Sequence, residues 1–279
     1  MFVSSSQTQQ ETFAANRATG GIALVAVAGG GRTRRSRVHE DGSLRLRFPH
    51  VAPGAPLEAV IVNTGGGMTG GDRFSIAMSM EEGAYVLAGT VAAEKIYRSN
   101  GDDAELAVTL SIADGASLAW LPQETILFDD ARLSRRIDID MAETGSLLLC
   151  EAVVFGRTAM GETVEQGRLV DRWRLRRGGK LLYAETVRLD GAVAEALAEP
   201  AAANGAAALA TILVVPGDDS VPTAVRARSD GFAGEVGASA WNGLAAVRFC
   251  ARDGAALRHD IVGVLAALNR GDVPRLWLS

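Results

Sequence analysis

The chain has 279 residues, 48% of them apolar but only 5% aromatic, and a formal charge of 28 − 33 = −5. That length allows one large core or two modest ones, built from Val, Ile, Leu and Ala. Mild acidity argues against nucleic acid as the main partner, since phosphate binding wants a basic face; Arg32-Thr-Arg-Arg-Ser-Arg37 reads as a local, solvated exception.

Residues 1–15 are polar and unpatterned and are expected to be a disordered tail, leaving 16–279 as a single mainly-β domain. The apolar run Ile22-Ala-Leu-Val-Ala-Val-Ala28 is too short to cross a bilayer and lacks the flanks of a secretory signal, so no membrane partner is expected. From Leu44 to Leu189 a period of two dominates. It marks strands at Leu44–Phe48, Val60–Val62, Phe74–Met80, Tyr85–Leu87, Leu106–Leu110, Leu118–Trp120, Ile137–Met141 and Leu147–Phe155. Leu169–Leu175 and Lys180–Leu189 form a hairpin across Gly178-Gly179.

Turn residues recur about every ten positions, as expected of a sandwich, a barrel or a β-solenoid. Two helices are expected, one over 192–203 ending at Asn204-Gly205 and one after the N-cap Asp253 ending at Asn269–Gly271. Strands Thr211–Val215, Glu235–Ala240 and Ala245–Cys250 lie between them.

The densest signal is Asn63-Thr-Gly-Gly-Gly-Met-Thr-Gly-Gly-Asp72, with five glycines in seven positions between two strands. Gly65, Gly67 and Gly70 formally spell G-x-G-x-x-G, but a strand follows where a dinucleotide site needs a helix. Asp72 stands where a Walker loop needs Lys. Either a tight turn or the close approach of another backbone explains the glycines.

Histidine is limited to His39, His50 and His259, and Cys150 and Cys250 are far apart, so a closed structural zinc site is not expected. The two cysteines read as small hydrophobes in a reducing, cytoplasmic setting. Carboxylates are plentiful: Asp72, Glu94, Glu124, Glu151 and Glu162 each sit beside a glycine, proline or apolar run. Glu151, inside Leu-Leu-Leu-Cys-Glu-Ala-Val-Val, must be paired or metal-bound unless that face of its sheet is wet. A paired-carboxylate glycosidase on a β-helix is the alternative enzymatic reading.

Five segments carry a resemblance: Asn63 to Asp72, Ala92-Ala-Glu-Lys-Ile-Tyr-Arg-Ser99, Leu121-Pro-Gln-Glu-Thr-Ile-Leu-Phe128, Gly156-Arg-Thr-Ala-Met-Gly-Glu162 and Pro274-Arg-Leu-Trp277. In this order they resemble the urease accessory protein D family, also called UreH. The matching motif positions are Asn63, Gly66, Gly70, Gly71, Asp72, Lys95, Tyr97, Arg98, Pro122, Gly156, Arg157, Gly161 and Glu162. The resemblance implies a β-helix-like stack of many short strands with about two α-helices. It also implies a non-enzymatic maturation factor that binds urease apoprotein and the accessory proteins F and G, G being a GTPase.

On that resemblance no cofactor is tightly bound, and Ni²⁺ passes transiently on its way into urease. Oxygen ligands suit such loose transfer better than imidazole or thiolate, which makes Asp72, Glu94, Glu124, Glu151 and Glu162 the candidate route. Glu94-Lys95 and Arg157–Glu162 have an equally simple reading as structural ion pairs. Arg275 and Trp277 are candidate partner anchors, and Trp277 serves equally well as a plug of the core.

Overall fold

The computed structural model describes residues 17–157, 160–268 and 273–278. The expected tail at 1–15 and the helix stop at 269–271 lie outside them. Among these residues seventeen strands form a β-solenoid-like stack of about four turns with its end strands, one of the three architectures the strand pattern left open and the one the resemblance implied.

Each coil places one strand in each of two facing sheets. The pairs are β4 (Leu57–Asn63) with β5 (Arg73–Met80), and β6 (Tyr85–Thr90) with β8 (Ala104–Ile112). They continue as β9 (Ser117–Trp120) with β11 (Arg132–Met141), and β12 (Ser146–Phe155) with β13 (Gln166–Arg177). Like strands stack parallel and in register, so like side chains form straight columns. Ile76, Val108, Ile137 and Trp173 make one column of the first sheet. Ala59, Ala88, Trp120 and Leu149 face them from the second. The inward positions of β5, Phe74, Ile76, Met78 and Met80, are all buried while Ser75 and Ala77 between them face out. That alternation is what the period of two anticipates.

Antiparallel strands close both ends. The first sheet is finished by β14 (Lys180–Ala192) on one side. On the other lie β1 (Thr19–Gly29), still parallel to β5, and then β2 (Arg32–Gly42). The second is finished by β3 (Leu44–Arg47) and, beyond β12, by β15 (Ala208–Val215), β17 (Leu244–Ala251) and β16 (Glu235–Trp241). The Arg32–Arg37 cluster lies on β2, which is exposed along most of its length. Charged side chains and a register shift opposite Val25/Ala26 blunt this free edge.

One short helix packs beside β13 and β14, and two others cover one half of the outer face of the second sheet. α1 (Val193–Ala198) is shorter than the 192–203 expected because Pro200 pushes Glu199 out of helical geometry, to ψ 125°. α2 (Ser220–Arg226), with Pro222 in its first turn, is an additional short helix. α3 (Gly254–Leu268) starts where expected, with Asp253 accepting the Ala256 N–H at 2.8 Å. Its Leu257, Ile261 and Val264 pack on Cys150, Ile212 and Val247 in a second core outside the solenoid.

The chain's end returns to this second core. Trp277 is 1% exposed and donates from Nε1 to the Leu121 carbonyl at 3.0 Å. The Arg258 guanidinium of α3 lies 5.2 Å from its ring and donates to the Leu276 and Trp277 carbonyls. Of the two readings of Trp277, the packing is that of the plug; Arg275 is exposed. Trp277→Ala is therefore expected to lower stability by about 3–5 kcal/mol in urea unfolding, whereas Arg275→Ala should leave the midpoint within the error of the wild type.

Candidate functional site

Between the two sheets, one corner of the solenoid carries its own short ladder. β7 (Glu94–Ile96) of the second coil pairs with β10 (Thr125–Leu127) of the third, and β10 pairs with the end of β12 in the fourth. The glycine-rich stretch supplies the first coil: Met68 bridges to Ile96, donating to the Lys95 carbonyl at 2.7 Å and accepting from Tyr97 at 2.8 Å. Met68, Ile96, Leu127 and Phe155 thus stack as one buried column.

Close approach is the reason for the glycines. A Cβ on Gly67 would stand 2.4 Å from the Tyr97 ring, and one on Gly70 would stand 2.4 Å from the Asp102 carbonyl oxygen. Asp72, 4% exposed, ties the loop down by accepting the N–H groups of Ala18 and Thr69, each at 2.8 Å.

On the outer side of the same corner, side chains from the second, third and fourth coils touch one another and the backbone of the first. The Tyr97 hydroxyl donates to the Gly66 carbonyl at 3.1 Å, and its ring meets Phe128 edge-on at 4.9 Å. The Arg157 guanidinium lies 4.2 Å from the Phe128 ring and pairs with Glu162 at 2.6 Å. Arg98 pairs with Asp130 at 3.1 Å. Tyr97, Arg98, Arg157 and Met160 are exposed.

Behind the corner, a file of polar groups runs through the apolar interior. Asn63 donates to Glu94 at 2.9 Å, and Glu94 sits beside Thr125 on the ladder. Thr125 lies 3.4 Å from Arg135 of β11, which bridges two carboxylates: Glu151 of β12 and Asp171 of β13, the latter through Nε at 3.0 Å and Nη2 at 2.5 Å. Trp120 and Trp173 donate their indole N–H groups to Glu151 at 2.7 Å and to Asp171 at 2.9 Å. Burial opposes the charge on Arg135, but Asp171 and then Glu151 outweigh it and hold the guanidinium charged. Burial also pushes the Glu151 carboxyl up, against the pull of Arg135 and Trp120. The wet-face reading of Glu151 is thereby overturned: it is 5% exposed and paired.

Comparison with known proteins agrees with the motif pattern. The sequence model of one family, described as UreD urease accessory protein, matches residues 18–278. A urease accessory protein UreD of Rhodopseudomonas palustris is 54% identical over the whole of both chains. One from Bradyrhizobium diazoefficiens is 55% identical over 96% of each. The chain belongs to the UreD urease accessory protein family. Of the motif positions carried over by resemblance, Asn63, Gly66, Gly70, Gly71 and Asp72 build the first rung of the corner, and Lys95, Tyr97 and Arg98 the second. Buried Pro122 precedes the third rung, and Gly156, Arg157, Gly161 and Glu162 form the fourth.

The five route carboxylates are less uniform. Glu124 is held by Arg258 through Nε at 3.0 Å, Glu151 by Arg135 and Glu162 by Arg157. Asp72 is taken up by two backbone N–H groups. Glu94 differs. Its side-chain partner is neutral Asn63, and burial pushes its pKa up, with Asn63 and then Lys95 pulling the other way. The described residues hold no cluster of three or more His, Cys, Asp or Glu placed to grip a metal.

Arg135, Asp171, Thr125 and Arg258 are the residues that sequence reasoning missed. For the first two the signal was present in the phase of alternation: Arg135 falls between inward Leu133 and Ile137, and Asp171 between inward Leu169 and Trp173.

Two outcomes test this interior. Arg135→Met strands two buried carboxylates and should cost about 3–5 kcal/mol in chemical unfolding; adding Glu151→Gln and Asp171→Asn should recover most of it. For Glu94, the raised folded pKa means its stabilising contribution is present below the ordinary value near 4.5 and lost as pH rises through the folded value. Glu94→Gln should therefore match wild-type Tm below about pH 4.5 and exceed it at neutral pH, as a thermal-melt series will show.

Proposed function

We propose that this chain acts in urease maturation as a non-catalytic scaffold. It binds urease apoprotein together with accessory proteins F and G, and lets nickel pass on its way to the urease active site. The observation that carries the reading is the corner ladder. Four coils bring motif segments some thirty residues apart into one outer surface, where Tyr97, Arg98, Arg157 and Met160 stand exposed. These are residue types that anchor protein interfaces, held firm here by an edge-to-face ring pair and a paired carboxylate. GTP chemistry belongs, on this reading, to the partner G.

Nickel is cargo here and not a resident cofactor. Arg135 already engages Glu151 and Asp171, Arg258 engages Glu124, Arg157 engages Glu162 and backbone N–H groups take up Asp72, so the acidic side chain best able to meet a passing cation is Glu94. A single oxygen ligand of this kind gives the weak, exchanging contact that a transfer step needs. Free Cys150 and Cys250 fit a cytoplasmic location; burial pushes the Cys150 thiol up and keeps it unreactive.

The test is co-expression with urease apoprotein and proteins F and G, with metal content measured per urease active site. Omitting the chain should abolish loading. Tyr97→Ala with Arg157→Ala should lose partner capture while keeping a folded circular-dichroism spectrum. Glu94→Gln should keep capture yet lower nickel content severalfold. Wild-type loading by Glu94→Gln would remove the route; wild-type capture by the double variant would remove the corner as the interface.

A further inference from the structure

The outer face of the second sheet is only half covered. α3 lies over β15 and β17. Next to it, over β4, β6 and β9, the described residues place no α-helix, and a groove of about 820 Å³ remains between the 47–56 loop and the short turn at Arg275–Trp277. Its floor is apolar: Val60, Val62, Leu87, Leu121 and Leu148, walled by Leu265 of α3. Val60, Leu121 and Leu148 are less than a tenth exposed, whereas Val62 and Leu87 are half-buried and Val91 at the edge is 49% exposed. The same floor under α3 is buried as the second core.

We propose that this groove is the seat of one amphipathic helix from a partner protein, apolar on the inner face and carrying carboxylates on its flanks. This rests on the reading that the chain works inside an assembly. Three observations favour that occupant. Three strands spaced about 4.8 Å apart offer a floor of about 10–14 Å, the width of a single helix with its side chains. A helix laid there would run beside α3 and continue the layer that α3 begins. The rim carries Arg47, His50 and Arg275 against the single acidic Glu58. Arg47 lies 3.6 Å from Glu40, which leaves Arg275 and His50 as the main claims on an acidic flank. A second copy of this chain fits poorly, because a two-fold interface would set concave groove against concave groove and leave both unfilled.

The experiment uses the full chain carrying a photo-crosslinking amino acid at position 91, alone and co-expressed with urease apoprotein and proteins F and G. Crosslinks are mapped by mass spectrometry. In parallel, Leu87→Glu, the charge reversal Arg275→Glu and the control Ser75→Glu on the opposite sheet are compared for partner capture. The expected result is a crosslink to one helical, acid-flanked partner segment, with capture reduced at least tenfold by Leu87→Glu, severalfold by Arg275→Glu and unchanged by Ser75→Glu. Crosslinking to a second copy or to residues 1–16 overturns the proposal, as does wild-type capture by Leu87→Glu. Loss of capture by the Tyr97/Arg157 double variant with crosslinking at position 91 intact would separate the two surfaces: the groove would stand and the corner's share would be distinct.

Discussion

In-register stacking of parallel strands is the constraint from which the other features follow. Because Ile76, Val108, Ile137 and Trp173 occupy the same height in successive coils, a residue type placed once in a coil is repeated through the depth of the molecule. Interior apolar columns result where the repeated position faces in. Where it faces out at the corner, four short segments become one continuous surface. The glycines of the first coil belong to the same logic. Their role is to bring a loop close enough to act as a rung where regular pairing has not yet begun.

A stack of this kind has few ways to hold its two sheets in a single relative position, since apolar columns can slide. Arg135 supplies a directional tie. It spans from the first sheet to Glu151 in the second while also clasping Asp171 on the neighbouring strand. The tie is bounded by two indole N–H groups, so each carboxylate oxygen facing the cluster has a donor. Taking three charges out of water is costly, and a well-packed apolar group would serve stability at least as well. What the charges add is a unique alignment of β11, β12 and β13, the three strands behind the corner ladder. Arg258 does comparable duty outside, joining α3, the Glu124 rung and the last residues of the chain.

Much of the stack was legible because alternation is a direct image of burial in β5 and in the Ile137–Met141 half of β11, where every second residue is large and apolar. The N-terminal hairpin was not. Ile22 to Ala28 is uniformly apolar because its outer positions, Ala23 and Val25, are small apolar residues on a half-exposed face, and β2 is exposed on both faces and so has no period. The helix expected over 192–203 was cut short by a local rule, the effect of Pro200 on Glu199, that composition alone hides. For the site, the glycine stretch and Glu151 announced themselves by being out of place. Arg135 and Asp171 did not, because a charged residue in an alternating strand reads as outward until the phase of its neighbours is followed across the whole strand.

The anchoring of Trp277 against the Leu121 carbonyl joins positions 156 residues apart, and it has a consequence for how the molecule is made. A ribosome adding about 5–20 residues each second needs about eight to thirty seconds to travel from one to the other. Throughout that interval the face of the second sheet around Leu121 lacks its Trp277 cover and is open to water and to any other nascent chain. Coils can zip onto one another as they emerge, but the seal comes only with Trp277. Synthesis beside a waiting partner would shorten that unprotected window.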